Sequence, residues 1–133
     1  MTLAPPERCV DAPVLRPPRR ALVLDEDPVV RVAVTNVLAV MGWSVQAVGQ
    51  EMSSALDAVA DRGEPYDLVV LDQALGDGLA ADLARLLPVL QPRAHVVMLT
   101  DGALQPVPEG VACLLPRGRG LGPLLDHLAV RTG

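Results

Sequence analysis

Acidic and hydroxyl residues stand directly after short apolar runs at three places in the sequence: Asp25 and Glu26 after ALVL, Asp72 after DLVVL, and Thr100 after HVVML. Strands of a parallel sheet covered on both faces read as continuous apolar runs, and open α/β sheets bind ligands outside the carboxyl ends of their strands. These groups are therefore expected at one edge of one sheet. Carboxylate and hydroxyl oxygens gathered there form a candidate site for binding or reacting with a ligand.

The elements that must position them alternate along the chain. Ala21 to Leu24 reads as a buried strand, followed by Asp27-Pro28, a helix N-cap with proline at the first helical position. That helix runs through Val30, Val34, Val37 and Met41 and stops at Gly42. Ser44 to Val48 alternates polar and apolar residues, as a strand with one less buried face does. Met52, Leu56 and Val59 recur at helical spacing, and Arg62-Gly63 ends that helix. Leu68 to Leu71 is the next buried strand, and Leu79, Leu83, Leu86 and Leu90 mark a helix that Pro88 ends or kinks in its last turn. Asp77-Gly78 is expected as the turn that launches it. Val96 to Leu99 and Val111 to Leu115 supply two more strands, and Pro123 to Val130 the last helix. Strands alternating with helices imply right-handed crossovers and a parallel sheet. One connection breaks the pattern: DGALQPVPEG, between Thr100 and Val111, holds two prolines and two glycines and leaves room for at most one helical turn.

Composition bounds the function classes. At 133 residues the chain is expected to form one domain with a proper core. No apolar stretch is long enough to span a bilayer and no signal-peptide pattern opens the sequence, so a soluble cytoplasmic protein is expected, with no membrane partner. A net charge of −5 argues against direct nucleic-acid binding. Residues 1–19, rich in proline and arginine without helical or strand period, read as a flexible arm. Cys113 reads as core filler and Cys9 as a free thiol in that arm; neither has metal-ligand spacing around it. His95 and His127 are expected to be structural or exposed, without a metal-like neighbour, and Trp43 to be partly buried. The chain contains no lysine.

LVLDEDPVVR, DLVVLDQALGDGLAADL, VVMLTDG and GVACLLPRGRGLGPLLDHL follow in the order, and at nearly the spacing, of the receiver domain of bacterial response regulators, which the chain resembles over about residues 20–130. The resemblance implies a CheY-like (flavodoxin-like) doubly wound α/β fold: a five-stranded parallel sheet of order 2-1-3-4-5, helices on both faces, the fourth helix short or absent. It implies a receiver domain over residues 20–133, and a phosphoryl group accepted from a histidine kinase or histidine phosphotransfer protein on Asp72. It further implies that Asp25, Glu26, Asp72 and the backbone carbonyl of Ala74 hold Mg2+, and that Thr100 is the switch hydroxyl that binds the phosphoryl group. A carboxylate attacking a phosphoryl group sets negative charge against negative charge, and carboxylates with one carbonyl suit an oxygen-loving dication that offsets it. The acyl phosphate would be a covalent intermediate whose lifetime sets the signal. In that case the chain is not an enzyme beyond its own phosphorylation and dephosphorylation.

Departures from the family pattern are specific. The family's lysine after the fifth strand aligns with Arg117 and the proline after it with Gly118; arginine is planar and longer, though able to reach a phosphate with two donors. The position after the hydroxyl, usually small, is Asp101, which would add repulsion near a phosphoryl group if it pointed inward. The aromatic switch position aligns with Leu114. These departures support an alternative, a pseudo-receiver that makes protein contacts without regulated phosphorylation. A third reading, a haloacid dehalogenase-type phosphatase with Asp25 as nucleophile and Asp27 as acid/base, requires a lysine the chain lacks. With no effector domain in these residues, output passes to an unknown downstream protein unless they are cut from a longer regulator. A monomer or weak dimer is expected.

Overall fold

The structure, a computed structural model, describes residues 8–9, 19–49, 57–60, 65–75, 78–101, 106–117 and 121–131. Its elements are β1 (Arg8–Cys9), β2 (Arg20–Leu24), α1 (Pro28–Val40), β3 (Ser44–Val48), β4 (Leu68–Asp72), α2 (Leu79–Leu90), β5 (His95–Thr100), β6 (Cys113–Pro116) and α3 (Gly122–Arg131). The sheet order is β1-β6-β5-β4-β2-β3. From β2 onward every neighbouring pair is parallel, and those five strands follow the order 2-1-3-4-5.

Side-chain alternation in the strands sends residues to two cores. Leu22, Leu24, Val69 and Leu71 meet Leu79, Leu83 and Leu87 of α2, together with Ala58, Val59 and Tyr66. Ala21, Val23, Leu68 and Val70 meet Val34 and Leu38 of α1 and Leu124 and Leu128 of α3. Because both faces are covered, β2, β4 and β5 had to read as unbroken apolar runs. β3, at the edge, is half exposed, matching its alternating sequence. At the start of α1 the Val29 N–H donates to the Asp27 carboxylate at 2.9 Å and Pro28 supplies a preset φ. Pro88 lies inside α2, which continues to Leu90. Trp43 is buried between α1 and the sheet rather than partly exposed, packed in the core that Val34 and Leu38 also line.

Two expectations are revised. The arm is not wholly unstructured, since Arg8–Cys9 pairs antiparallel with β6, Cys9 opposite Cys113, and makes the sheet six-stranded. The reason is that β6 would otherwise end the sheet with open N–H and C=O groups that favour another strand. Cys113 is more than core filler, because it is disulfide-bonded, and the sequence holds one other cysteine, Cys9. The free-thiol reading treated the arm as distant from the core, which strand pairing contradicts.

The crossover between β5 and β6 contains no helix among its described residues, 101 and 106–110. Gly110 explains how so short a path can pass: its φ is +88°, and an added Cβ would lie 1.8 Å from the Ala84 carbonyl oxygen of α2. The loop backbone thus rests directly on a helix backbone, with Val107 and Val111 against the core. Met52, Leu56, Arg62, Gly63 and Asp77 lie outside the described residues; residues 57–59 are helical, and Gly78 caps α2 with a φ of 77°.

Candidate functional site

The parallel register brings four strand ends to one edge, and each ends in a polar group. β2 is followed by Asp25, β4 ends in Asp72, β5 ends in Thr100, and β6 is followed by Arg117. Asp25 and Asp72 are 2% and 3% exposed, so two carboxylates sit in a nearly dry environment. Each accepts a bond from its own loop: the Asp27 N–H donates to Asp25 Oδ1 at 2.9 Å, and the Ala74 N–H to Asp72 Oδ1 at 3.1 Å.

Arg117 joins these groups. Its Nη1 lies 3.2 Å from Asp72 Oδ1 and 3.5 Å from Asp25 Oδ2. The other side of its fork grips Asp101, with Nη2 at 2.6 Å from Oδ2 and Nε at 3.3 Å from Oδ1. Its backbone N–H donates to the Thr100 carbonyl at 2.9 Å. The guanidinium is therefore fixed at three points. Asp101 does not add repulsion at the site; its exposed carboxylate holds the arginine in place, and that hydrogen bond lowers the Asp101 pKa.

Burial first, and then the neighbouring Asp72 charge, push the Asp25 carboxyl up to about 6. The Asp27 N–H and Arg117 oppose the rise without cancelling it. The Arg117 guanidinium is held protonated more firmly than usual, first by its hydrogen bond to Asp101 and then by the Asp72 charge. A buried carboxylate pair kept together against its own repulsion is an arrangement that calls for positive charge.

Glu26 is exposed beside Asp25; its backbone carbonyl accepts from Arg31 Nη1 at 3.2 Å, and that same nitrogen donates to the Asp25 carbonyl at 2.8 Å. The Thr100 hydroxyl donates to the side-chain oxygen of Gln73, the residue after Asp72. Arg31 and Gln73 are thus parts of the site that sequence reasoning did not place, whereas Asp101 was placed beside it without its arginine partner. Gln73 had a usable signal, since it directly follows a strand-end group already singled out. Arg31 reaches the loop only through the packing of α1.

The donor set fits a hard divalent cation. Asp25 and Asp72 supply buried carboxylate oxygens, Glu26 a third carboxylate within solvent reach, and the cation paired with the two buried carboxylates, Arg117, already shares its charge with Asp101.

At the opposite ends of the strands, the two histidines are buried, as a structural role requires, but the expectation that neither has a metal-like neighbour fails. His95 and His127 are buried and stack with centroids 5.0 Å apart, and Cys113 adjoins them. Linear spacing concealed this because β5 and β6 are neighbours and α3 packs against β6.

No family model matches the chain. A curated relative, "Response regulator protein PilR" of Pseudomonas aeruginosa, is 28% identical over 84% of this chain, which spans a quarter of the relative's length. A response regulator crystal structure from Burkholderia pseudomallei with a phosphorylated aspartic acid, calcium ion and citrate aligns with a TM-score of 0.69 at 22% identity, over 83% of this chain and 66% of that one. A chain from the crystal structure of histidine kinase ThkA in complex with response regulator protein TrrA aligns with a TM-score of 0.70 at 18% identity, over 86% and 99% of the respective chains. The fold common to these proteins is the CheY-like receiver fold.

Proposed function

We propose that this chain, a CheY-like response regulator receiver domain, accepts a phosphoryl group from a histidine kinase or histidine phosphotransfer protein on Asp72 and signals by protein contact. The observation that carries this reading is the buried Asp25–Asp72 pair joined by Arg117 at the carboxyl edge of the sheet. One Asp72 carboxylate oxygen attacks phosphorus while the bond from phosphorus to the donor imidazole nitrogen breaks, leaving an acyl phosphate. Arg117, already within 3.2 Å of Asp72, follows the charge onto the new phosphate oxygens. The Thr100 hydroxyl exchanges Gln73 for a phosphate oxygen, the local change that a two-state element would report.

Asp25, Glu26, Asp72 and the Ala74 carbonyl would hold Mg2+, which supplies charge compensation between nucleophile and phosphoryl group. Exposed Val29 and Val32 on α1, next to the Asp25 loop, offer an apolar surface for the donor protein. No helix among the described residues is long and apolar enough to cross a membrane. The reading places the chain in the cytoplasm, as a monomer or weak dimer, with an unknown downstream protein target and no direct nucleic-acid contact by these residues. The chemistry is confined to its own phosphorylation and dephosphorylation.

The test is intact mass after incubation with acetyl phosphate and Mg2+. A single phosphoryl adduct is expected, absent in Asp72→Ala and absent with chelator. No adduct on the native chain, or one that survives Asp72→Ala, overturns the reading. A second reading, an interaction module without regulated phosphorylation, is favoured by one feature: the fork of Arg117 is already tied to Asp101 while its Nη1 spans both buried carboxylates. If that tie locks the site, the native chain stays unmodified while Asp101→Asn becomes phosphorylated.

A further inference from the structure

At the amino ends of β5 and β6, remote from the acidic edge, three potential metal ligands meet in the core. His95 opens β5, Cys113 opens β6 and His127 comes from α3; they are 2%, 0% and 1% exposed. His95 Nε2 and His127 Nε2 are 2.8 Å apart, and Cys113 Sγ is 3.9 Å from His95 Nε2. All three ligand atoms lie within 4.8 Å of one another.

We propose that His95, Cys113 and His127 form a zinc-type site that closes when the disulfide of Cys113 is reduced. With Zn–N of about 2.0–2.1 Å and Zn–S of about 2.3 Å, tetrahedral angles set the two nitrogens roughly 3.3 Å apart and sulfur roughly 3.5 Å from each. The His95–His127 and Cys113–His95 separations differ from these by about half an ångström, and the third lies within 4.8 Å, so closure needs side-chain rotation. The two imidazole planes are parallel to within 8°, with their Nε2 atoms 2.8 Å apart. An imidazole pair with a thiolate selects a borderline-soft ion over magnesium, so this site and the acidic edge take different metals. Three protein ligands leave a fourth position open.

The disulfide decides whether the third ligand exists, because a sulfur bonded to sulfur is not a thiolate. A dithiol reductant supplies the two electrons and two protons that cleave it, itself becoming a disulfide. Binding of the dication then releases the Cys113 thiol proton, and the histidine that donates between the two Nε2 atoms shifts its proton to Nδ1, so that both rings bind as neutral imidazoles. Compartments that hold thiols reduced favour the open sulfur, so the site couples metal binding to redox state. The β1–β6 register, which sets Cys9 opposite Cys113, makes the arm part of the same device.

Cobalt(II) titration of the full chain followed by absorption tests this. The reduced protein is expected to bind one cobalt with tetrahedral d–d bands and a thiolate-to-cobalt charge-transfer band, both abolished by added zinc. The unreduced protein should lack the charge-transfer band, and Cys9→Ser should show it without reductant. Cys113→Ser should lose it, and His127→Gln should weaken binding at least tenfold, with circular dichroism confirming the fold of each variant. If His127→Gln does not fold, Cys113→Ser decides. No thiolate band in the reduced protein, or a band that persists in Cys113→Ser, overturns the proposal. Cobalt held at Asp25 and Asp72 gives no thiolate band, so the outcome is independent of the phosphoryl-acceptor reading.

Discussion

Arg117 and Asp101 each depart from the receiver pattern, and in the structure each accounts for the other. An arginine long enough to touch both Asp25 and Asp72 needs its other end fixed, and the exposed Asp101 carboxylate does so with two hydrogen bonds. Arg117 lowers the Asp25 pKa, so Arg117→Ala should raise it above about 6, as read from carbon-13 carboxyl shifts during NMR titration. Asp25 also ties stability to pH. Its folded pKa, about 6, exceeds its ordinary 3.8, so the linked stability is complete below 3.8 and is lost as pH rises through about 6. The difference corresponds to a cost on the order of 3 kcal/mol at neutral pH. Asp25→Asn should therefore stabilise the metal-free protein at about pH 7.5 by roughly 1–3 kcal/mol and lose that advantage near pH 4, measured by urea denaturation. Equal stability of the two proteins at neutral pH would contradict the assignment.

At the scale of elements, the described end of the crossover from β5 to β6, residues 106–112, is a loop seated on α2. Gly110 permits this through a left-handed backbone and the absence of a Cβ. Gly110→Ala should destabilise the fold by about 3 kcal/mol or more, since both the positive φ and contact with the Ala84 carbonyl penalise a methyl group. Gly42, also at positive φ but with open space around it, should lose less on the same change, about 1 kcal/mol. Thermal denaturation of the pair separates backbone strain from steric conflict. On the other side of the sheet, α1 owes its start to Asp27, and Asp27→Ala should cost about 1 kcal/mol through the lost cap.

Across the whole molecule, two cores hold one sheet between them, with α2 over one face and α1 and α3 over the other. The acidic cluster lies at one end of the strands and the His–Cys–His cluster at the other. Leu83→Ala, at a fully buried position on α2, should cost about 2–5 kcal/mol in urea unfolding, by transfer and cavity terms together. The proposed monomer or weak dimer predicts a light-scattering mass near that of one 14.0 kDa chain at low concentration. A tight dimer would contradict it.

The amino-acid sequence by itself determined the parallel sheet and the meeting of Asp25, Asp72 and Thr100 at one edge, because each follows from local signals, while the strand order came with the family resemblance. Continuous apolar runs mark strands buried on both faces, and strand ends in such sheets share an edge. Arg117 was placed beside them by its alignment with the family's lysine, but its tie to Asp101 was not, since a side chain's direction depends on what surrounds it. Tertiary structure alone decided the burial and stacking of His95 with His127, the approach of Cys113, and the pairing of Arg8–Cys9 along β6. Those contacts join residues far apart in the chain, through strand neighbours and helix packing. No residue spacing encodes them; they exist only once the sheet has formed.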